Sequence, residues 1–188
     1  MLGFLLLGLF LLFVLFVGWQ AFGLPPKSPW RLQIRHWVVF IPATTAVFGW
    51  IITSWVTLRN SIKQHTITTL LQSRLSATYM SYADKVGTHY TAYDKRKRAD
   101  PTIKEEPTDG IDEMALRYIL NYFEFLAIGI KRGEFDEDML RDSLRGILKK
   151  NTQMSRMWIA KARKDNPFLY IHVVWLHKRW HPDDTPLM

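Results

Sequence analysis

The sequence predicts an all-α membrane protein. An N-terminal two-helix transmembrane hairpin, whose second span continues into a long stalk helix, precedes a C-terminal helical bundle. Two observations support this class. Two long apolar runs lie within residues 1–58, which contain no acidic residue. After them, apolar residues recur every three or four positions, which is the helical period. The predicted segments are the hairpin, the stalk helix, a loop and a cytoplasmic bundle, at residues 1–58, 59–98, 99–110 and 111–188.

The first apolar run predicts a transmembrane helix at about residues 2–22. About 20 apolar residues cross a bilayer, and Leu2–Trp19 consists almost entirely of Leu, Phe, Val and Gly. A cleaved signal peptide is the alternative, but such peptides begin with basic residues and end at a small-residue cleavage site. This run has neither feature. Pro25 and Pro26 lack the amide hydrogen that a continuing helix needs, so the helix should end before them.

The second run, residues 37–58, predicts a longer span with hydroxyl groups on one side. Small residues recur there every four positions and share one helix face; they are Thr45, Gly49, Thr53 and Thr57. Small residues at this spacing allow helices to approach closely in lipid. We therefore expect a packing interface, either with the first helix or with another copy of the chain. A polar pore lining is the alternative.

The net charge of +8 predicts contact with anionic groups. Basic residues beside a membrane usually face anionic lipid headgroups, and nucleic acid is the other common partner of a basic chain. The apolar spans favour lipid over nucleic acid. For residues 95–98, a solvated helix end with cations that complement the helix dipole is the simpler interpretation. The candidate contacts with lipid or phosphate are Arg59, Lys63, Lys95, Arg96, Lys97 and Arg98.

Charge does not decide the orientation of the two spans. The connection between them carries Lys27, Arg31 and Arg35, and the twenty residues after Leu58 carry an equal number of basic residues. Cytoplasmic segments are normally the more basic ones. We expect the C-terminal part in the cytoplasm because the segment after Leu58 is basic as a whole. The chain has no Cys, so neither a disulfide nor a thiolate metal site can form.

The second span is predicted to continue beyond the membrane as one helix. Gly49 is the only helix breaker between Ala43 and Val86, which gives a helix of about 65 Å. Its apolar positions step by three or four residues; they are Ile67, Leu71, Leu75, Tyr79, Tyr82 and Val86. Such a stripe is expected to be buried against neighbouring helices or against a second copy. Residues 100–110 contain Pro and Gly and predict a loop.

The bundle has the most clearly marked helix boundaries. Asp112 and Asp136 are predicted N-caps, and Gly133 is a predicted C-terminal stop. The two helices that these residues define are joined by a short link and should form an antiparallel pair. Residues 151–164 predict a third helix. Residues 168–180 predict a fourth, for which a strand is the alternative because of their Val and Ile content.

Over roughly residues 43–180 the chain resembles a known family, the domain of unknown function family 4760, found in bacteria and their phages. The similar segments are LNYFEFL at 120–126, GIKRGEFDEDML at 129–140, PFLY at 167–170 and RW at 179–180. The resemblance implies one or two membrane spans followed by an all-helical tail, and no established chemistry. In a bacterium, the expected location is the inner (cytoplasmic) membrane. Residues that match the motif without an assigned role are Asn121, Glu124 and Arg132.

Two histidines are candidates for a metal site. His177 and His181 are four residues apart and share a helix face, and Asp183 and Asp184 could add oxygen ligands. A third structured ligand is lacking, so solvent-facing or interfacial histidines are the preferred interpretation. The acids at 136–138 resemble the start of a calcium loop but lack its Gly and its final Glu, so helix capping explains them better. No catalytic residue, cofactor or metal is predicted.

Asn121 and Glu124 are predicted to be buried polar residues, because their helix is dense in Phe, Tyr and Leu. An unpaired carboxylate in such surroundings is costly. Glu124 is therefore expected to pair with an arginine; the candidates are Arg117, Arg141 and Arg145. Catalysis by a carboxyl group with a perturbed pKa is the alternative.

These patterns favour a non-enzymatic, membrane-anchored helical protein that self-assembles. It would act as a scaffold, or as an effector or regulator at the envelope. Because the family that the chain resembles also occurs in phages, host–phage conflict is the suggested setting. The expected partners are the lipid bilayer, further copies of the chain and an unidentified protein. One alternative is a small channel or membrane-permeabilising effector. The other is a membrane-tethered nucleic-acid-binding protein that uses residues 95–98.

Overall fold

The computed structural model describes residues 2–25, 28, 30–184 and 187. All regular secondary structure in this part of the chain is helical, as the sequence predicts. The α-helices are α1 (Leu2–Gly18), α2 (Ile34–Leu75), α3 (Ala77–Ala99), α4 (Glu113–Arg132), α5 (Glu137–Met154), α6 (Arg156–Asp165) and α7 (Ile171–Trp180). A π-helical turn, Trp19–Gly23, extends α1. The chain divides into two compact units, Met1–Thr57 and Leu58–Met188.

Within the first unit, α1 and the first part of α2 contact each other through aromatic rings. The ring centroid of Phe13 lies 6.1 Å from that of Phe40 and 6.0 Å from that of Phe48. The ring centroids of Phe16 and Phe40 are 5.6 Å apart. Aromatic pairs at this separation stabilise a contact beyond the area they bury. These rings define the face of α2 that packs on α1.

One buried polar side chain holds the connection between α1 and α2. Gln20 is 5% exposed. Its side-chain oxygen accepts a hydrogen bond from the backbone N–H of Leu32 at 3.0 Å, and its amide donates to the carbonyl of Trp30 at 3.3 Å. The helical segment ends at Gly23, ahead of the prolines as predicted. Pro26 and Lys27, which the sequence places in this connection, lie outside the described residues.

Large apolar side chains are exposed along both helices of the first unit. Leu15, Val39 and Trp50 are 68%, 69% and 72% exposed, respectively. By length and composition, α2 is the one helix in the described part of the chain that is long and apolar enough to cross a membrane. Leu7–Gly18 forms a shorter apolar helix. Contiguous apolar surface of this kind marks a site of contact with lipid or protein.

The predicted uninterrupted helix from Ala43 to Val86 is wrong at Ser76. α2 ends at Leu75, and Ser76 is extended, with φ −71° and ψ 114°. The Ser76 hydroxyl accepts a hydrogen bond from the backbone N–H of Tyr79 at 3.2 Å and so caps α3. Ser is one of the preferred N-cap residues, and neither Gly nor Pro marks the break.

The buried face of the predicted stalk also differs from the expectation. In the second unit, α2 buries Thr66 and Leu70. Three residues of the predicted stripe are instead 45%, 53% and 82% exposed; they are Ile67, Leu71 and Leu75, respectively. In α3 the predicted residues Tyr79 and Val86 are buried. The interruption at Ser76 explains the difference, because one helical period does not continue through both segments.

Two hydroxyl groups join residues 58–75 of α2 to the bundle. The Thr66 hydroxyl oxygen accepts a hydrogen bond from the backbone N–H of Asp136 at 2.9 Å. The Tyr122 hydroxyl donates to Ser73 at 3.0 Å. This part of the predicted stalk is therefore an integral helix of the second unit.

The predicted boundaries of α4 and α5 are confirmed. Asp112 accepts a hydrogen bond from the N–H of Ala115 at 3.1 Å, and Asp136 accepts one from the N–H of Met139 at 3.1 Å. Gly133 ends α4 with a φ of 74°. This left-handed conformation carries no side-chain penalty for glycine.

α4 is the central helix of the second unit and contacts α3, α5 and α7. The predicted helix at 151–164 is interrupted at Ser155, where α5 gives way to α6. The helix predicted at 168–180 is confirmed over Ile171–Trp180. It begins later than predicted because Tyr170 has a left-handed φ of 56°, outside the helical range.

Candidate functional site

Glu124 of α4 binds the N-terminus of α7. Its Oε1 accepts a hydrogen bond from the backbone N–H of His172 at 3.3 Å and lies 2.8 Å from the Nδ1 atom of the same residue. Its Oε2 accepts from the backbone N–H of Val173 at 2.8 Å. The side chain is 19% exposed. Glu124 belongs to α4, yet it accepts hydrogen bonds from the first amides of α7, as an N-cap residue of α7 would.

The predicted pairing of Glu124 with an arginine is wrong. The three candidates make other contacts: Arg117 with Glu113 at 3.6 Å, Arg141 with Asp138 at 2.9 Å, and Arg145 through its backbone carbonyl with His181 at 3.1 Å. The reason lies at the start of α7. Tyr170 occupies its N-cap position and supplies no side-chain acceptor, so the first amides of α7 take an acceptor from α4. The sequence signal for this contact was that the predicted helix has no Ser, Thr, Asp or Asn at its N-cap, so its first amides need an acceptor from elsewhere.

Asn121 is exposed, so its predicted burial is wrong. The buried face of α4 contains its neighbours Leu120 and Phe123, both 0% exposed. Asn121 lies outside that apolar face, and hydrophobic composition alone does not distinguish the two sides of a helix. Of the two predicted buried polar residues, only Glu124 lies partly inside the domain.

His177 of α7 is buried, contrary to the expected solvent-facing or interfacial position. It is 2% exposed. Its Nδ1 lies 2.7 Å from the hydroxyl oxygen of Thr152 in α5. Its Nε2 lies 3.9 Å from a carboxylate oxygen of Asp184 and has no hydrogen-bond partner among the described residues. Burial, followed by the neighbouring His181, lowers the pKa of His177 below its usual range.

The surroundings of His177 are held by polar contacts between the end of α7 and α5. The rings of His177 and His181 are 5.3 Å apart, measured between centroids. Asp184 accepts a hydrogen bond from Lys149 at 2.8 Å, and this ammonium group lowers the pKa of Asp184. Within the described part of the chain, no cluster of three or more His, Asp or Glu side chains is arranged to hold a metal ion.

The basic cluster Lys95–Arg98 lies in the last turn of α3 and at its end. Arg96 pairs with Glu105 at 3.5 Å, and Lys97 donates to the backbone carbonyl of Ile103. Two of the four cations thus hold the following loop against α3. Arg59 and Lys63 are exposed on α2. The cluster therefore includes cations at the C-terminus of α3, where they interact favourably with the helix dipole.

The small-residue stripe of α2 faces away from α1. All four residues are exposed; they are Thr45, Gly49, Thr53 and Thr57. A Cβ atom at Gly49 would meet no other atom within 4 Å. The face that packs on α1 is that of Phe40, Thr44 and Phe48. Of the two expected interfaces, the one with the first helix is not observed.

Fold and contacts define an all-helical protein with an apolar N-terminal unit and a separately packed C-terminal domain. Comparison with protein families matches residues 39–180 to a domain of unknown function, DUF4760. The chain belongs to this family, as the motif at residues 120–140 indicates. No curated protein and no solved structure gives a significant match.

We predict that Glu124 contributes to stability through α7. Glu124→Gln should lower the free energy of unfolding by about 1 kcal/mol, and Glu124→Ala by about 2 to 3 kcal/mol, because amides at the start of α7 lose a charged acceptor. Glu113→Gln on the same helix is the matched control, with an expected change of about 0.5 kcal/mol or less for an exposed pair. Denaturant unfolding of the detergent-solubilised chain measures all three. Unchanged stability in Glu124→Gln, with loss of an activity, would support the catalytic alternative.

We predict that His177 makes the domain sensitive to acid. Its pKa is lowered in the folded state, so the unfolded chain takes up the proton first as the pH falls. Stability from this group is complete above the unfolded pKa of about 6.5 and declines below it, by at most about 1.4 kcal/mol per pH unit. Unfolding free energies at pH 7.5 and 5.5 should differ less in His177→Gln than in the unmodified chain. An identical pH dependence in the two proteins contradicts the assignment.

Proposed function

We propose that the protein is a non-enzymatic, membrane-anchored helical protein that self-assembles through the outward face of α2. In this proposal the apolar N-terminal unit is a transmembrane hairpin, and the domain of residues 58–188 is presented at the membrane surface as a scaffold or effector. The observation that carries the proposal is the exposed apolar surface of α1 and of residues 34–57.

Lipid is the neighbour that this surface fits best. The exposed residues of α2 within residues 34–57 include Val, Ile and Trp on several sides of the helix, rather than a single stripe. A helix that is apolar all round requires an apolar environment on all sides. The exposed hydroxyl of Thr45 donates to the carbonyl of Ile41 at 2.9 Å, so its polar hydrogen is satisfied without water. This arrangement supports a membrane-spanning role for α2.

The stripe of small residues supports self-assembly. Without a hydrophobic driving force in lipid, helices associate through close packing, which Gly and Thr permit. α1 covers a different face of α2, so the stripe stays accessible to a second copy. A pore lined by these threonines would use the same face of α2. Copies of the chain would meet at that face in a pore as well, so the same cross-linking pattern is expected for a pore and for a packing interface.

Charge supports the cytoplasmic side for the C-terminal domain. Three of the 25 basic residues and none of the 17 acidic residues precede Arg59, so residues 59–188 carry a net charge of +5. Basic segments are retained on the cytoplasmic side, where anionic lipids attract them. The family that the sequence resembles, found in bacteria and their phages, supports a bacterial inner membrane as the proposed location and host–phage conflict as the proposed setting.

We predict that the full-length chain is an integral membrane protein. After cell lysis it should sediment with membranes, stay there after washing with carbonate at high pH, and be released by detergent, because its apolar helices are buried in lipid. Immunoblots of the fractions measure this, and N-terminal sequencing of the extracted chain checks that the first helix is retained. Recovery in the soluble fraction, or a mature start beyond Phe22, contradicts the proposal.

We predict that the stripe lies at an interface between copies. The chain has no Cys, so a single introduced Cys can form only an intermolecular disulfide. Oxidation in membranes should cross-link Thr45→Cys into dimers. Thr44→Cys is the matched control, since Thr44 is half-buried on the face that packs on α1. Non-reducing gels measure the dimer fraction.

A second variant tests close packing at the same face. Gly49→Leu should reduce the Thr45→Cys dimer by about tenfold or more, because a bulky side chain separates the helices. The substitution should leave the single chain folded, since a Cβ at this position meets no atom within 4 Å. Equal cross-linking at positions 44 and 45, or no effect of Gly49→Leu, counts against the interface.

A further inference from the structure

The last part of α2 carries apolar side chains on its outer side. Within the C-terminal domain this helix is buried through Thr66 and Leu70. Three large apolar residues of the same segment are exposed. They follow one another at intervals of four residues and therefore share a face of the helix. We call them the outer stripe; they are Ile67, Leu71 and Leu75.

The outer stripe is unusual for a helix on the surface of a domain. Such a helix normally buries one apolar face and presents polar residues on the other. α2 buries one face in the domain and has apolar residues on the exposed side as well. The outer stripe ends where the helix ends, since Leu75 is the last residue of α2. Contiguous apolar surface of this kind marks a site of contact with another molecule.

The outer stripe has the same phase in the helical repeat as the small-residue stripe of α2. The helix is unbroken from Ile34 to Leu75, and eighteen residues make about five complete turns at 3.6 residues per turn. Each member of the outer stripe follows a member of the small-residue stripe by eighteen residues; the pairs are Gly49 and Ile67, Thr53 and Leu71, and Thr57 and Leu75. The pattern of the proposed interface therefore continues beyond the apolar unit, with large residues in place of small ones.

The charge pattern suits a second copy of the same helix. Residues 64–73 contain no Lys, Arg, Asp or Glu, and Lys63 and Arg74 bound this segment. In a parallel pair of identical helices each residue meets its own counterpart, so any charge there would meet a like charge, which is unfavourable. An uncharged segment avoids this repulsion, and its apolar side chains gain free energy by mutual burial.

The same charge pattern disfavours the lipid surface as the occupant. A helix that lies on a membrane carries Lys and Arg along the borders of its apolar face, where they meet anionic headgroups. The segment 64–73 has no such residue. A partner of opposite charge is equally unsuited, because charged partners bind faces with complementary charge.

We propose that the outer stripe is the surface at which the C-terminal domains of two copies meet. Ile67, Leu71 and Leu75 of one chain pack against the same residues of the second chain, as a parallel helix pair. This inference rests on the proposed self-assembly through α2, in which both copies enter one bilayer in the same direction and so hold their helices parallel. It adds a second contact, formed by large apolar side chains in the domain of residues 58–188.

The test is disulfide cross-linking of the full-length chain in native membranes. The chain has no Cys, so Leu71→Cys introduces a single thiol. A disulfide requires two Cα atoms within about 7 Å, a separation that a parallel pair in register provides. Gln72→Cys is the matched control, because this exposed neighbour is turned by about 100° around the helix axis. We expect a dimer fraction several-fold higher for Leu71→Cys on non-reducing gels.

A second variant measures the contribution of the outer stripe to assembly. Leu71→Gln is added to Thr45→Cys, whose dimer reports contact in the N-terminal unit. Because apolar burial is lost in both copies, half-maximal cross-linking should require about tenfold less lipid per chain. Gln72→Ala is the control and should cause no shift. Circular dichroism should show unchanged helix content in Leu71→Gln, since Leu71 is exposed in the single chain.

The outcomes distinguish this inference from the proposed function. Cross-linking at position 45 but not at position 71 overturns the contact between the domains and leaves self-assembly through the small-residue stripe intact. No cross-linking at either position contradicts both. Equal cross-linking at positions 71 and 72 indicates random collision and counts against the contact. A thiol at position 71 that a water-soluble maleimide cannot reach in monomers shows that lipid covers the outer stripe, which also overturns the proposal.

Discussion

The packing of α7 in the C-terminal domain depends on two carboxylates, one bound at each end of the helix. At the start of α7, Glu124 of α4 accepts hydrogen bonds from the first backbone amides. At its end, Glu137 of α5 binds the Arg179 guanidinium through two nitrogens and accepts from the indole N–H of Trp180. Arg179 lowers the pKa of Glu137, so this carboxylate stays ionised near neutral pH. α7 is thereby fixed across both helices of the pair that it covers.

Local signals in the sequence were sufficient for the helix boundaries of the bundle. An Asp before an apolar run and a Gly after it act on amides and carbonyls three or four residues away. The caps at Asp112 and Asp136 and the stop at Gly133 were therefore predictable, and the structure has each in that role. Ser76 caps α3 by the same local rule. It is one of many Ser and Thr residues in this segment, however, so it gives only a weak signal, and the sequence did not predict the interruption between α2 and α3.

Contacts between distant parts of the chain could not be predicted in the same way. Glu124 and its partners are 48 and 49 residues apart, and the choice between an arginine and a helix terminus depends on packing. The same holds for the exposure of Asn121, which depends on where the buried face of α4 ends.

The threonines of α2 show why one residue pattern can serve two environments. Thr66 donates to the carbonyl of Ile62 at 2.8 Å, as Thr45 does to that of Ile41, so each hydroxyl hydrogen is used within the helix. What remains is an oxygen that can accept. Thr66 accepts from the amide of Asp136 inside the domain, whereas Thr45 is exposed in the apolar unit. A face whose donors are already satisfied can pack closely against another helix in lipid without stranding a polar hydrogen. At Thr45, this satisfaction of the donor favours an interface over a water-filled lining.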